Sequence, residues 1–308
     1  MDSLLKQIAT WINQRVTGAF ASAPTRFGKT RTAKFAAEGY ASDVLPAVPM
    51  YLVVCKKHTV CSESEFLGEI LKGLNHQFKT ARSRGILRER VVNFLAVSAE
   101  SCGQRQVVLL CDEAQHNHVP EYHALCGIQN DLDQLGIRLT VISLGSPELW
   151  NIHQMMITSK ETYLAARFLH RKMRFRGIQS EKELRFVLRQ YDFDTEWPEG
   201  SRRSFTNYFF PNSFADGFRI EELTPYLWHA LLKQAPKLGP YPLEVPMEYI
   251  AHPIEAVFRT FPDIQVADQR RSERDRGEVS ELLENILEEL AFSEYMNGLI
   301  YDLRGESK

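Results

Sequence analysis

Ala23-Pro24-Thr25-Arg26-Phe27-Gly28-Lys29-Thr30 lies between a short apolar run at residues 19–21 and a helix-favouring segment at 31–38. Strand, loop and helix in that order form a setting in which successive backbone N–H groups wrap a phosphate at a helix N-terminus. Lys29 adds a positive charge, and the Thr30 hydroxyl can reach a Mg²⁺ ion held by the phosphates. Residues Ala23 to Thr30, with Arg31 next in line, form the candidate phosphate-binding set. The pattern G-x-x-x-x-G-K-[ST] is met except at its first position, where Ala23 stands for glycine. A tight backbone turn there favours glycine, and alanine is its smallest replacement. The plain alternative is a chance G-K-T at a helix start.

A second element strengthens the first. Val107-Val108-Leu109-Leu110-Cys111 is an unbroken apolar run, which reads as a strand buried on both faces of a parallel sheet. It ends directly in Asp112-Glu113-Ala114-Gln115. An Asp at a strand end can hold Mg²⁺, and the adjacent Glu can polarise an attacking water. An acidic helix cap after a core strand would explain the same residues less fully. A third apolar run at 139–144 leads into Gly145-Ser146-Pro147, where Ser146, with Ser143 as runner-up, can orient that water beside the terminal phosphate. A turn capping the next helix is the alternative for Ser146. Together the motifs describe a nucleotide-binding ATPase, with ATP and Mg²⁺ as the expected ligands.

Composition is compatible with this and excludes little. The 308 residues carry 37 Lys and Arg against 39 Asp and Glu, a net charge of −2, so any nucleic-acid contact must come from a local patch. The five cysteines show no C-x-x-C spacing, which points to a reducing compartment. With no long apolar run and no signal-like leader, the expectation is a cytoplasmic protein with no membrane partner.

The remaining elements must position these groups. Residues 3–16 read as an amphipathic helix, 50–55 as a second buried strand, and 62–76 and 86–99 as helices. Lys56 and Lys57 follow the 50–55 strand, on the side where open α/β sheets bind ligands. Arg82, Arg84 and Arg88 lie in the densest basic segment before the acidic strand end. These five are the candidate contacts to DNA phosphates; a solvated helix–helix connection is the alternative for the arginines. Residues 164–177 are also basic. Arg167 is the first candidate for an arginine finger reaching a neighbouring subunit's ATP, ahead of Arg171 and Arg174. Beyond residue 180 strand signals cease and helical patterns follow. Residues 263–277 read as a charged linker, and 278–303 as one closing amphipathic helix.

The chain resembles AAA+ ATPases of the ORC/Cdc6 and ExeA-like group, and more closely the TnsC/TniB-type ATPase regulators of DNA transposition. APTRFGKT, VVLLCDEAQ, LTVISLGSPEL and ARFLHRKMRFRG carry the resemblance, which spans about half the chain. It implies an α/β fold, an AAA+ P-loop NTPase with a parallel central sheet plus a small helical lid domain. It implies Lys29 and Thr30 on phosphate and Mg²⁺, Asp112 supporting the metal, Glu113 activating water, Ser146 at the sensor position and Arg167 near the finger. Arg219, in GFRIEEL, is a weaker match to the second sensor on the nucleotide. The implied partners are double-stranded DNA, a transposase, a TniQ/TnsD-like target-selection protein, and further copies of the chain in a ring or helical filament.

The expected organisation is a nucleotide-binding domain at 1–178, a helical lid at 179–262, and a linker with tail helix at 263–308. A rival reading is an ATPase signalling module of a defence or secretion system that binds proteins and not DNA. A third is a metabolic kinase, for which the lid offers no clear acceptor pocket.

Overall fold

A computed structural model describes residues 2–39, 43–58, 62–81, 83–236, 242–261 and 269–305. The candidate Arg82 lies outside the described residues. The chain divides into two compact units, Met1–Phe175 and Arg176–Lys308.

The first unit contains strands β1 (Gly18–Ser22), β2 (Met50–Val54), β3 (Gln106–Asp112), β4 (Arg138–Gly145) and β5 (Arg171–Arg174). They form one parallel sheet in the order β2-β3-β4-β1-β5. Its helices are α1 (Asp2–Asn13), α2 (Lys29–Ala37), α3 (Glu63–Gly73), α4 (Arg84–Ser101), α5 (Val119–Gln134), α6 (Glu148–Thr158) and the single turn α7 (Thr162–Leu164). Every residue of β1 and β3 is buried, as a parallel strand covered on both faces requires. On α3, Phe66, Leu67, Ile70 and Leu71 recur at helical spacing and face the core. The Ser62 side chain caps that helix by accepting from the Glu65 N–H.

Polar side chains pin the lower edge of the sheet. Thr140 Oγ1 donates to the Val16 carbonyl at 2.7 Å, and Gln129 Nε2 donates to the Thr17 carbonyl at 2.7 Å. Gln106 Nε2 donates to the Ile12 carbonyl at 3.0 Å. These bonds tie the α1–β1 connection to β3, α5 and β4, adding to the backbone donors that the Ile12 and Thr17 carbonyls already have, and so fix where β1 enters the sheet. The upper edge, where the strands end, is thereby fixed as well.

The strand β5 was not expected. Arg171-Lys172-Met173-Arg174 has neither alternation nor an apolar run, yet it pairs with β1 from Ala19↔Arg171 to Ser22↔Arg174. It is an edge strand, where exposed cations are tolerated and discourage pairing with another chain.

The second unit is helical: α8 (Glu181–Phe193), α9 (Phe205–Phe209), α10 (Pro211–Ala215), α11 (Thr224–Gln234), α12 (Glu248–Thr260), α13 (Gln269–Glu289) and α14 (Phe292–Gly305). Two isolated bridges, Ile178↔Val245 and Glu196↔Ser204, are its sheet-like pairings among the described residues. The expected linker to residue 277 is already helix from Gln269. Its charged residues are good helix formers, and Arg274 pairs with Glu278 one turn on at 2.9 Å. The expected single closing helix is two, separated at Ala291, whose φ is 52°. Among the described residues α13 packs along α11 and α12, and Val279, Leu283 and Leu287 are buried.

Gly18, at the start of β1, has no room for a side chain. A Cβ there would lie 2.5 Å from Phe168 Cα and 2.7 Å from the Arg167 carbonyl oxygen, both backbone atoms. Gly18→Ala is expected to destabilise the chain by about 1–3 kcal/mol, as overpacking of a rigid site does. Urea denaturation checks this; an unchanged midpoint would show that the backbone yields.

Candidate nucleotide site

The ends of β1, β4 and β3 lie side by side, with β4 in the middle. Ser22 is level with Gly145, and Cys111 with Ser143. The loop following β1 therefore hangs over the ends of its two neighbours. The Ala23 N–H donates to the Gly145 carbonyl at 3.1 Å, which carries the sheet pairing one residue into the loop. Ala23 is buried and keeps a negative φ, so its departure from glycine strains nothing. The left-handed positions fall at Arg26, with φ 66°, and Gly28, with φ 94° at the N-cap of α2. Phe27 is buried between them and anchors the loop.

Lys29 opens α2 and is only 6% exposed. Its ammonium donates to the carbonyls of Ala23 and Pro24, each at 2.7 Å. Burial pushes its pKa below the ordinary lysine value, while the nearby charges of Glu113 and Asp112 act in the opposite direction. Thr30, next on the helix, hydrogen-bonds the Asp112 carboxylate. Amine, hydroxyl and two acids are therefore gathered at the sheet's upper edge.

Asp112 is 1% exposed, and its Oδ1 is a buried oxygen without a hydrogen-bond partner. Burial raises its pKa above the ordinary value; the Thr30 hydrogen bond works against that shift. A buried, unpaired carboxylate oxygen beside a threonine hydroxyl suits a hydrated divalent cation. Among the described residues no cluster of three or more His, Cys, Asp or Glu side chains is arranged to hold a metal. Mg²⁺ fits here because it needs only one or two protein ligands beside waters and phosphate oxygens.

Glu113 turns the chain sharply, with φ 55° and ψ 34°. Its Oε2 accepts from Gln115 Nε2 at 2.6 Å, and Gln115 Oε1 accepts from the Ser146 N–H at 3.1 Å. One amide thus links the strand ends of β3 and β4. The Ser146 hydroxyl oxygen is buried without a partner. Gln115 was not among the expected site residues, although it stands in DEAQ; its role depends on the backward turn at Glu113. Trp150 was missed too: it donates to the Ser22 hydroxyl at 2.9 Å and bears Lys172 over its ring at 4.4 Å.

The other expected residues lie elsewhere. Arg31 is exposed on α2. Arg167 sits in a π-turn, Ala165–Leu169, donating to Cys126 Sγ and to Asn130 Oδ1 at 2.9 Å, with Asp133 at 3.9 Å. Arg174 ends β5 level with Ser22, beside the loop. Lys56 and Lys57 are exposed just past β2. Arg84 pairs with Glu63 at 3.3 Å, and Arg88 with Asp131 at 2.8 Å. Arg219 belongs to the second unit, where it donates to the Phe214 and Phe218 carbonyls and covers the Phe214 ring at 3.6 Å.

Residues 18–152, which hold the loop, the acidic strand end and Ser146, match the family model of the AAA domain. This segment, less than half of the chain, is similar to AAA domains. The match supports ATPase activity, and the five-stranded parallel sheet is that of an AAA+ P-loop NTPase. No curated protein matches the chain. Among solved structures it is similar to the Aeropyrum pernix ORC1 protein in complex with DNA, at 12% identity over 90% of this chain and 65% of that one, with a TM-score of 0.51. It is also similar to a Walker-type ATPase of Pyrococcus abyssi, at 17% identity over 93% and 74% of the two chains, TM-score 0.48. Cdc6p from Pyrobaculum aerophilum shares 13% identity over 98% and 94%, TM-score 0.42. The likeness to ORC1 shows the fold alone. The acidic end of β3 is where stability and chemistry conflict.

That conflict is measurable. With Asp112 raised above its unfolded value, the native state retains a proton that the unfolded chain releases between the two values. Stability therefore falls as pH rises through that window, and the ionised group is a burden at neutral pH. Asp112→Asn is expected to raise the melting temperature of nucleotide-free protein at pH 7, by less as pH falls through the window. It should also abolish the further rise produced by Mg-ATP. A lower melting temperature at pH 7 would contradict this.

Proposed function

We propose that this chain is an ATP-dependent, DNA-binding AAA+ regulator of DNA transposition. In this reading it oligomerises on duplex DNA and links a target-selection protein to a transposase. The observation that carries the ATPase part of the reading is the convergence of Lys29, Thr30, Asp112 and Glu113 on one sheet edge under the phosphate loop. Lys29 would exchange its two carbonyl partners for phosphate oxygens. Thr30 and Asp112 would hold Mg²⁺, which neutralises charge on the phosphates. Glu113 takes the proton of the attacking water, and Ser146 orients that water.

Arg167 is proposed as the finger entering a neighbouring subunit's site, so that hydrolysis depends on assembly. It must first leave Cys126, Asn130 and Asp133. Arg219 is proposed to read the nucleotide from the lid. The transposition reading itself is supported by the resemblance of APTRFGKT, DEAQ and LGSPEL to the TnsC/TniB-type regulators. The A. pernix ORC1 structure, whose fold this chain shares, contains DNA.

DNA contact would run through phosphates, with Lys56 and Lys57 as the leading candidates. Arg82 remains a candidate on sequence alone. Because Arg84 and Arg88 are already paired with acids, they offer less charge to DNA than their number suggests. That same neutralisation favours the rival reading, a signalling module of a defence or secretion system that binds proteins. Random duplex DNA decides between them. Retention in a gel shift that requires a non-hydrolysable ATP analogue and weakens steeply with salt is expected, and Glu113→Gln should give the same retention with ATP itself. Absence of retention at low salt would remove the DNA reading and leave the rival.

A further inference from the structure

Gln115 occupies a place that no role above uses. It lies in the short turn Ala114–His116 directly after Glu113, and both ends of its amide are engaged. The nitrogen donates to Glu113 Oε2 at 2.6 Å, while the oxygen accepts from the Ser146 N–H at 3.1 Å. This assigns the amide orientation unambiguously, because a flipped amide would set two donors against each other at Ser146 and two acceptors at Glu113. The side chain has little room to do otherwise. A Cβ at Gly145 would come within 2.5 Å of Gln115 Oε1, so the glycine at the end of β4 is what lets the amide lie there.

We infer that Gln115 is a positioning residue, holding the Glu113 carboxylate against the end of β4 so that base and water-orienting turn move as one body. The inference rests on the ATPase reading of the site. The left-handed backbone at Glu113 aims its side chain back over the strand ends, but a carboxylate on a glutamate stem has free torsions. A charge-assisted hydrogen bond to a fixed amide removes that freedom. Since the other end of the amide is fastened to the Ser146 backbone, any displacement at the β4 turn on binding a terminal phosphate is passed to Glu113.

The geometry separates the two ends of the link experimentally. Gln115→Glu has the same shape and keeps an acceptor for the Ser146 N–H, yet turns a carboxylate toward Glu113. Gln115→Ala removes both bonds. Steady-state ATP hydrolysis by the full chain, with Lys29→Ala as the inactive control, gives kcat. A fluorescent ATP analogue gives Kd, and thermal melting reports folding. Both Gln115 variants are expected to lose roughly 10- to 100-fold in kcat, the effect of about an ångström of misplacement, with Kd within about threefold of wild type. A Gln115→Glu variant that turns over at the wild-type rate would overturn the inference, since only the Ser146 bond would then matter. Equal losses in kcat and in nucleotide affinity would also overturn it, by showing a merely structural role, as would a rise in kcat. If wild type itself hydrolysed no ATP beyond the Lys29→Ala background, the ATPase reading would fail, a result distinct from any of these.

Discussion

A lysine ammonium held almost out of water, within the field of two carboxylates, is the interaction on which the rest of this structure depends. Burial disfavours the charge on Lys29 and on Asp112 alike, and each relieves part of the other's burden. The ammonium settles on two loop carbonyls. Asp112 keeps one oxygen unpaired. A site in this condition gains on receiving a phosphate beside the lysine and a cation beside the aspartate, because both groups then find stronger partners in a region of low polarisability.

The sheet makes that arrangement possible. A parallel sheet buried on both faces brings the C-terminal ends of its strands to one edge, and the order β3-β4-β1 sets the two chemical loops on either side of β4. Polar anchors at the opposite edge, Thr140, Gln129 and Gln106, fix the height at which β1 enters. A one-residue slip of β1 would carry the phosphate loop away from Gly145, to which the Ala23 N–H is bonded. Packing at the bottom of the sheet thus sets geometry at the top.

The parts legible in the sequence are those whose chemistry is local. An apolar run such as 107–111 declares a buried strand, and Gly28-Lys29-Thr30 or Asp112-Glu113 declare what they can bind, because neighbours in sequence do the work. What is not legible there depends on distant partners. β5 is basic and becomes a strand only by pairing with β1. Arg84 and Arg88 read as a free basic patch until Glu63 and Asp131, far along the chain, fold against them. Gln115 gains its place from a left-handed turn and from a glycine on another strand. The helix begun at Gln269 looked like linker because its stabilising pair is charged and not apolar. Even the departure at Ala23 had a conformational explanation, since the positive φ angles fall later in the loop.

Calorimetric titration of Mg²⁺ with a non-hydrolysable ATP analogue into the wild-type chain and into Lys29→Ala tests the central claim most directly. The account predicts a single nucleotide per chain, with affinity that falls when Mg²⁺ is withheld and is lost or weakened at least about 100-fold in the variant, as for a charged hydrogen-bonding group removed from a buried site. Equal affinity in both proteins, with or without Mg²⁺, would contradict it.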